Sequence, residues 1–211
     1  MNNSDKNTII DRYRQRLDKF GPSIESLASG TIERRNMRFD ILSKVGDVNG
    51  AKVLDIGSGL GDFYAYLKEN NIEVDYTGYD LSPDLVKLAA DRFADAKFEV
   101  RDIQIDGIPE RFDYIVSSQT FNFRLANENN VELVGSCLKL CYDNCNKGIC
   151  FDFLTSYVDF KEEHLFYYSP EEMFSYAKSL TKRVSLSHDS MLYEFAIFLY
   201  PDFIGWNNKS L

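Results

Sequence analysis

A chain of 211 residues, 44% hydrophobic and 27% charged, carries enough apolar material for one sizeable core and is not composed like a disordered segment. Its 24 Lys and Arg against 33 Asp and Glu give a formal charge of −9, and the one basic cluster, Arg34, Arg35 and Arg38, is too small to draw in a polyphosphate backbone. No apolar run approaches the ~20 residues of a membrane span, and MNNSDKNTII shows no secretory pattern. The expectation is a soluble, cytoplasmic protein, monomer or homodimer, with one domain over residues 1–211 and no nucleic-acid or membrane partner.

Residues 5–20 place Ile9, Tyr13, Leu17 and Phe20 at helical spacing, and Gly21-Pro22 ends the segment. A second helix is predicted from Thr31, an N-cap type, through Phe39, Leu42 and Val45 to Gly46. From there the pattern alternates. KVLDIG (52–57) reads as a strand running into glycines, GDFYAYLKEN (61–70) as a helix, and VDYTGYD (74–80) as a strand. Ser82-Pro83 opens a helix over 82–93 with an N-cap residue and a proline at the first helical position. Strands follow at 98–102 and 111–119, a helix at 127–144, and the strand GICFDF at 148–153. Ser169-Pro170 starts a helix over 169–180, and 183–189 and 193–201 form two strands joined too closely to be anything but antiparallel. Alternating strands and helices imply right-handed crossovers and a mostly parallel sheet covered on both faces.

Cys137, Cys141 and Cys145 recur every four residues in a helical-looking stretch, with Cys150 beyond. A stripe on one helix face is not how zinc ligands are spaced, so small buried apolar residues and no metal are expected.

The sharpest feature is VLDIGSGLGDF, with Asp55, Gly57, Ser58, Gly59 and Gly61 between a predicted strand and a predicted helix. Glycines there permit a tight turn and close backbone approach by a ligand. The spacing is G-x-G-x-G, and Asp62 stands where the dinucleotide fingerprint has its third glycine. A carboxylate at that position opposes a pyrophosphate and suits a ligand carrying ammonium and sulfonium charge.

Over residues 50–155 these motifs resemble the class I S-adenosylmethionine-dependent methyltransferases. The resemblance implies an α/β, Rossmann-like sheet of seven strands in the order 3-2-1-4-5-7-6, strand 7 antiparallel, with helices on both faces. It implies a core over 49–205 and a helical N-terminal extension over 1–48 that serves as a lid, from which Tyr13 or Arg38 reaches the cofactor carboxylate. Asp55 to Gly61 resembles the motif that holds the methionine part of S-adenosylmethionine. Asp80, followed by Leu81 and 19 residues after Gly61, is similar to the acidic residue that accepts both ribose hydroxyls. Asp102-Ile103 resembles the adenine site, and Ser118 and Gln119 fall where the family's loop meets the methionine end of the cofactor.

SSQTFNF (117–123) lacks the Asn-Pro-Pro-aromatic run of amino-methylating DNA enzymes, and no Pro-Cys nucleophile is present. A small-molecule acceptor is expected, oxygen ahead of nitrogen, with S-adenosylhomocysteine as product. His188, one of two histidines, is the candidate base, and Asn122, Tyr167 and Tyr168 are candidate acceptor contacts. Two other readings compete: a non-catalytic S-adenosylmethionine-binding or scaffold protein, and a nicotinamide-dinucleotide oxidoreductase.

Overall fold

The structure is a computed structural model describing residues 1–202, so the last three residues of the expected 49–205 core lie outside the described residues. Seven strands form one sheet: β1 (Ala51–Ile56), β2 (Val74–Asp80), β3 (Lys97–Val100), β4 (Phe112–Ser117), β5 (Cys145–Leu154), β6 (Arg183–Ser187) and β7 (Glu194–Tyr200). Their order is 3-2-1-4-5-7-6; neighbours among β1 to β5 run parallel, and β7 is antiparallel to both β5 and β6. That is the topology the resemblance implies.

Side-chain alternation on buried strands divides the core in two. Leu54, Ile115, Phe151 and Ile197 face one side, against Leu133, Val134 and Leu138 of α6 (Asn130–Asp143) and Met173 and Ala177 of α7 (Pro170–Leu180). Val53, Val116, Cys150 and Phe198 face the other, against Phe39 and Leu42 of α2 (Ile32–Ser43) and Phe63 and Leu67 of α3 (Asp62–Glu69). The helix starts are chemically specified. The Thr31, Ser82 and Ser169 side chains accept the amides of Arg34, Leu85 and Glu172, capping α2, α4 (Pro83–Arg92) and α7.

Two local expectations change. A single turn, α5 (Ile103–Asp106), lies where only a loop follows β3 by sequence, because Asp102 caps it by accepting the Gln104 amide. β5 starts at Cys145, three residues before the predicted strand, with a register shift against β4 between Phe112 and Tyr114. Cys145 is therefore a strand residue and does not extend the helical stripe of Cys137 and Cys141. All four cysteines are buried and free, and burial pushes the Cys137 thiol up to about 12 and Cys145 up to about 11.

Leu54 is fully buried at the centre of the sheet. Leu54→Ala is expected to destabilise the protein by about 2–5 kcal/mol, read as a lower urea midpoint at unchanged slope.

Candidate active site

Behind the carboxyl ends of β1, β2 and β4 lies a cavity of about 560 Å³, within the roughly 300–1,000 Å³ of small-molecule sites. The glycine loop forms its floor. Gly57 has φ +76° and packs so close to Thr120 that a Cβ would stand 2.1 Å from Thr120 Oγ1. The Gly57 and Ser58 amides donate to the Tyr79 carbonyl at 2.7 and 3.1 Å, and the Gly59 amide donates to Asp80 Oδ2 at 3.0 Å. The loop is thereby fastened to the end of β2. Gly61 stands off the wall and caps α3 at φ +74°, where its bare Cα clears Phe93 and Phe98.

Among the carboxylates that face this space are Asp55, Asp80 and Asp102. Asp55 accepts the Tyr76 hydroxyl at 2.5 Å, but burial dominates and pushes its carboxyl up to about 7. Burial likewise raises Asp80, against the amides of Ser82, Gly59 and Leu81, which favour its charge. Asp102 lies 3.6 Å from Lys6 Nζ and 3.8 Å from the Met1 amine, and its buried Oδ2 accepts no hydrogen bond among the described residues. Leu81, Ile103, Leu133 and Cys137 make an apolar slot beside these groups. Asp62 also reaches the wall, but Arg92 Nη1 at 2.7 Å and Arg35 Nη1 at 3.4 Å hold its carboxylate, so its charge is already neutralised.

The helices before the core supply a wall that the site motifs leave out. From α1 (Asn3–Phe20) come Ile9, Arg12 and Tyr13; from the segment after it come Leu27 to Gly30; from α2 come Arg34, Arg35 and Arg38. Asp5 fastens α1 by accepting the Ala126 and Asn127 amides at 3.0 and 3.1 Å, and Arg14 Nε donates to Asp84 at 3.0 Å.

At the end of β4, Ser118 and Gln119 line the cavity. The Gln119 amide function is fully engaged: Nε2 donates to Asp152 at 2.8 Å and to Glu194 at 3.3 Å, while Oε1 accepts from Asn122 at 2.7 Å. Glu194, absent from the sequence-predicted set, is buried and takes Arg34 at 3.1 Å and Arg38 at 3.3 Å.

Comparison with known proteins places this geometry. A methyltransferase-domain family matches residues 54–146. "Putative methyltransferase Rv1506c" of Mycobacterium tuberculosis (strain ATCC 25618 / H37Rv) is 35% identical over 153 residues, 69% of this chain and 90% of that protein. The chain belongs to the methyltransferase family. Among solved structures, magnesium protoporphyrin IX methyltransferase from Synechocystis PCC 6803 with bound SAM shares the fold at TM-score 0.67 and 12% identity, covering 94% of this chain and 97% of that one. Human N-acetylserotonin methyltransferase does so at TM-score 0.68 and 15% identity, covering 94% and 59%.

In this methyltransferase the cavity brings together Asp55, Gly57, Ser58, Gly59, Asp80, Leu81, Asp102, Ile103, Ser118, Gln119, Asn122 and Tyr167 from the sequence-predicted set. Three residues fall elsewhere. Gly61 acts through the α3 start. Tyr168 is buried in the core and donates its hydroxyl to the Phe121 carbonyl at 2.7 Å, because neighbours in extended chain face opposite ways. His188 is not on the cavity wall: β6 is the outermost strand, and the ring lies 6.2 Å from Tyr157 and 6.1 Å from Phe195.

Two variants separate these placements. Gly57→Ala, strained at positive φ and driven into Thr120, is expected to abolish S-adenosylhomocysteine binding in calorimetry. His188→Ala is expected to keep that affinity within about twofold, since the ring contributes nothing to the cavity wall.

Proposed function

We propose that this methyltransferase uses S-adenosylmethionine to methylate an oxygen of a small-molecule acceptor, releasing S-adenosylhomocysteine. The observation that carries the reading is the pairing of the glycine loop with Asp80 and Asp102 on one wall. There Asp102 Oδ2 and Ser58 Oγ are buried without hydrogen-bond partners among the described residues. Buried polar atoms of that kind want a ligand's donors and acceptors. Asp80 accepts a vicinal diol, Asp102 an exocyclic amine, and Leu81 and Ile103 flank an aromatic base. Arg38 or Tyr13 faces the carboxylate of the amino-acid part. Positive sulfonium and ammonium groups suit the acidic wall, whereas a dinucleotide's pyrophosphate is repelled by it.

The bound cofactor supplies an activated methyl for in-line displacement. The chain's own part is to align the acceptor, exclude water and take one proton. The acceptor side is apolar, with Phe123, Leu154, Val158, Phe160, Leu165 and Tyr167, and it carries the carboxylates Asp159 and Glu162. With His188 off the wall, one of those two carboxylates is the proton acceptor in this reading. A cavity of about 560 Å³ and the charge of −9 both favour a small molecule over a polyanion. Residues 1–48 act as a lid, with α1 fastened across the cavity.

Calorimetry tests the reading. S-adenosylhomocysteine is expected to bind in the micromolar range, and Asp80→Ala to weaken it by about tenfold or more; preferential binding of a nicotinamide dinucleotide overturns the assignment. Tight binding with no methyl transfer to any pooled metabolite would favour the scaffold alternative. A cation beside Asp55 and Asp80 favours their ionised forms, whose pKa values burial raises. S-adenosylmethionine binding near pH 6.5 is therefore expected to release protons, seen as a heat that varies with the buffer's ionisation enthalpy. Asp5→Ala, which unfastens α1, is expected to weaken S-adenosylhomocysteine several-fold, and an unchanged affinity removes the lid from the proposal.

A further inference from the structure

Gln119 has φ +58°, a left-handed backbone in a residue with a full side chain. Such strain persists only where the surroundings over-determine it, and it collects at functional sites. Here the surroundings are one buried carboxylate. Asp152, near the end of β5, accepts three hydrogen bonds from two successive residues of the cavity wall: Ser118 Oγ at 2.7 Å, the Gln119 amide at 2.6 Å and Gln119 Nε2 at 2.8 Å. Asp152 itself is 4% exposed and does not line the cavity.

We propose that Asp152 is a positioning residue that holds the strained Ser118-Gln119 turn against the cofactor cavity and thereby sets cofactor affinity. The proposal rests on the reading of that cavity as the S-adenosylmethionine site. Three donors converge on two oxygens, and an ionised carboxylate alone meets them as acceptor throughout. A protonated carboxyl or an amide keeps the two Gln119 bonds only by donating to Ser118 Oγ, which reverses that bond and leaves the serine proton without its acceptor. The clamp is also cross-braced, since Gln119 Nε2 reaches Glu194 on β7 and Arg38 ties Glu194 to the Ser29 carbonyl ahead of α2.

The charged and titratable neighbours are Glu194 from β7, Arg38 from α2, Asp55 from β1 and Cys150 on the same strand. Burial, reinforced by Glu194, pushes the Asp152 carboxyl up to about 6, against Arg38 and the Ser118 and Gln119 hydrogen bonds. The ionised clamp is thus complete above that value and is lost as pH falls through it. Asp55 and Asp80 titrate in the same cavity, so the comparison between wild type and variant isolates the Asp152 contribution.

The experiment is calorimetry of the full chain with S-adenosylhomocysteine from pH 5.5 to 8, for wild type, Asp152→Asn, Gln119→Gly and the double variant, each checked by thermal melting. Asp152→Asn is expected to bind about tenfold more weakly at pH 7.5 and to lose part of the wild-type fall in affinity below pH 6. Glycine adopts φ +58° without strain, so in the Gln119→Gly background the same Asp152→Asn change is expected to cost less than about threefold. Wild-type affinity and pH slope in Asp152→Asn, or an equal tenfold loss in both backgrounds, overturns the proposal. Should Asp152→Asn fail to fold, Gln119→Gly alone decides: its pH dependence is expected to be flatter than wild type, and an equal slope overturns it. Absence of wild-type binding at every pH overturns the cofactor reading as well.

Discussion

Carboxyl groups crowd the carboxyl edge of this sheet, and how each is neutralised governs the architecture around it. Asp55, Asp80, Asp102, Asp152 and Glu194 come from or beside five different strands, and four of them are almost fully buried. In a medium of low dielectric such a set cannot stand ionised without partners. Each is met differently: a tyrosine hydroxyl for Asp55, backbone amides for Asp80, ammonium groups for Asp102, a serine and a glutamine for Asp152, and two guanidiniums for Glu194. Four of the five need residues outside the strands, and Asp102 and Glu194 need the two N-terminal helices. The extension before the core is therefore part of the electrostatic balance of the site.

The fold delivers these groups by simple means. Parallel strands end on one side of the sheet, so residues far apart in sequence arrive at a common edge. The antiparallel return of β7 sets Glu194 opposite Leu154, two positions from Asp152, and so brings the fourth, fifth and seventh strands into one hydrogen-bonded group. Gly57 allows Thr120 to pack directly on the loop, which closes the floor between β1 and β4.

Much of this was legible in the sequence because the signals were local. Strand, loop and helix sit within Val53 to Leu67, and Ser-Pro pairs mark two helix starts by capping chemistry alone. Asp80 and Asp102 could be placed because one ends a short strand and the other closely follows one. Glu194 and Asp152 could not, since their partners lie at Arg38 and Gln119 and only the sheet order makes them neighbours. His188 looked suitable as a rare titratable group near a turn, but it follows the outermost strand, and no local pattern encodes distance across a sheet. Asp62 read as an unbalanced charge for a similar reason: the arginines that neutralise it come from α2 and α4. Tyr167 and Tyr168 were inseparable by composition and differ only in which way the extended chain turns them.

The fastening of α1 has a consequence for how the chain assembles. This helix precedes every strand, yet Asp5 docks on Ala126 and Asn127, more than a hundred positions later, in a segment that exists as a surface only once β4 and α6 are in place. An isolated helix of that length is marginal in water, and this one is largely polar, with Asp, Arg and Lys spread around it. It can wait unfolded during synthesis without exposing a sticky face. Closing so long a loop costs entropy that only the assembled surface can offset, and that surface must exist before Asp5 can dock on it.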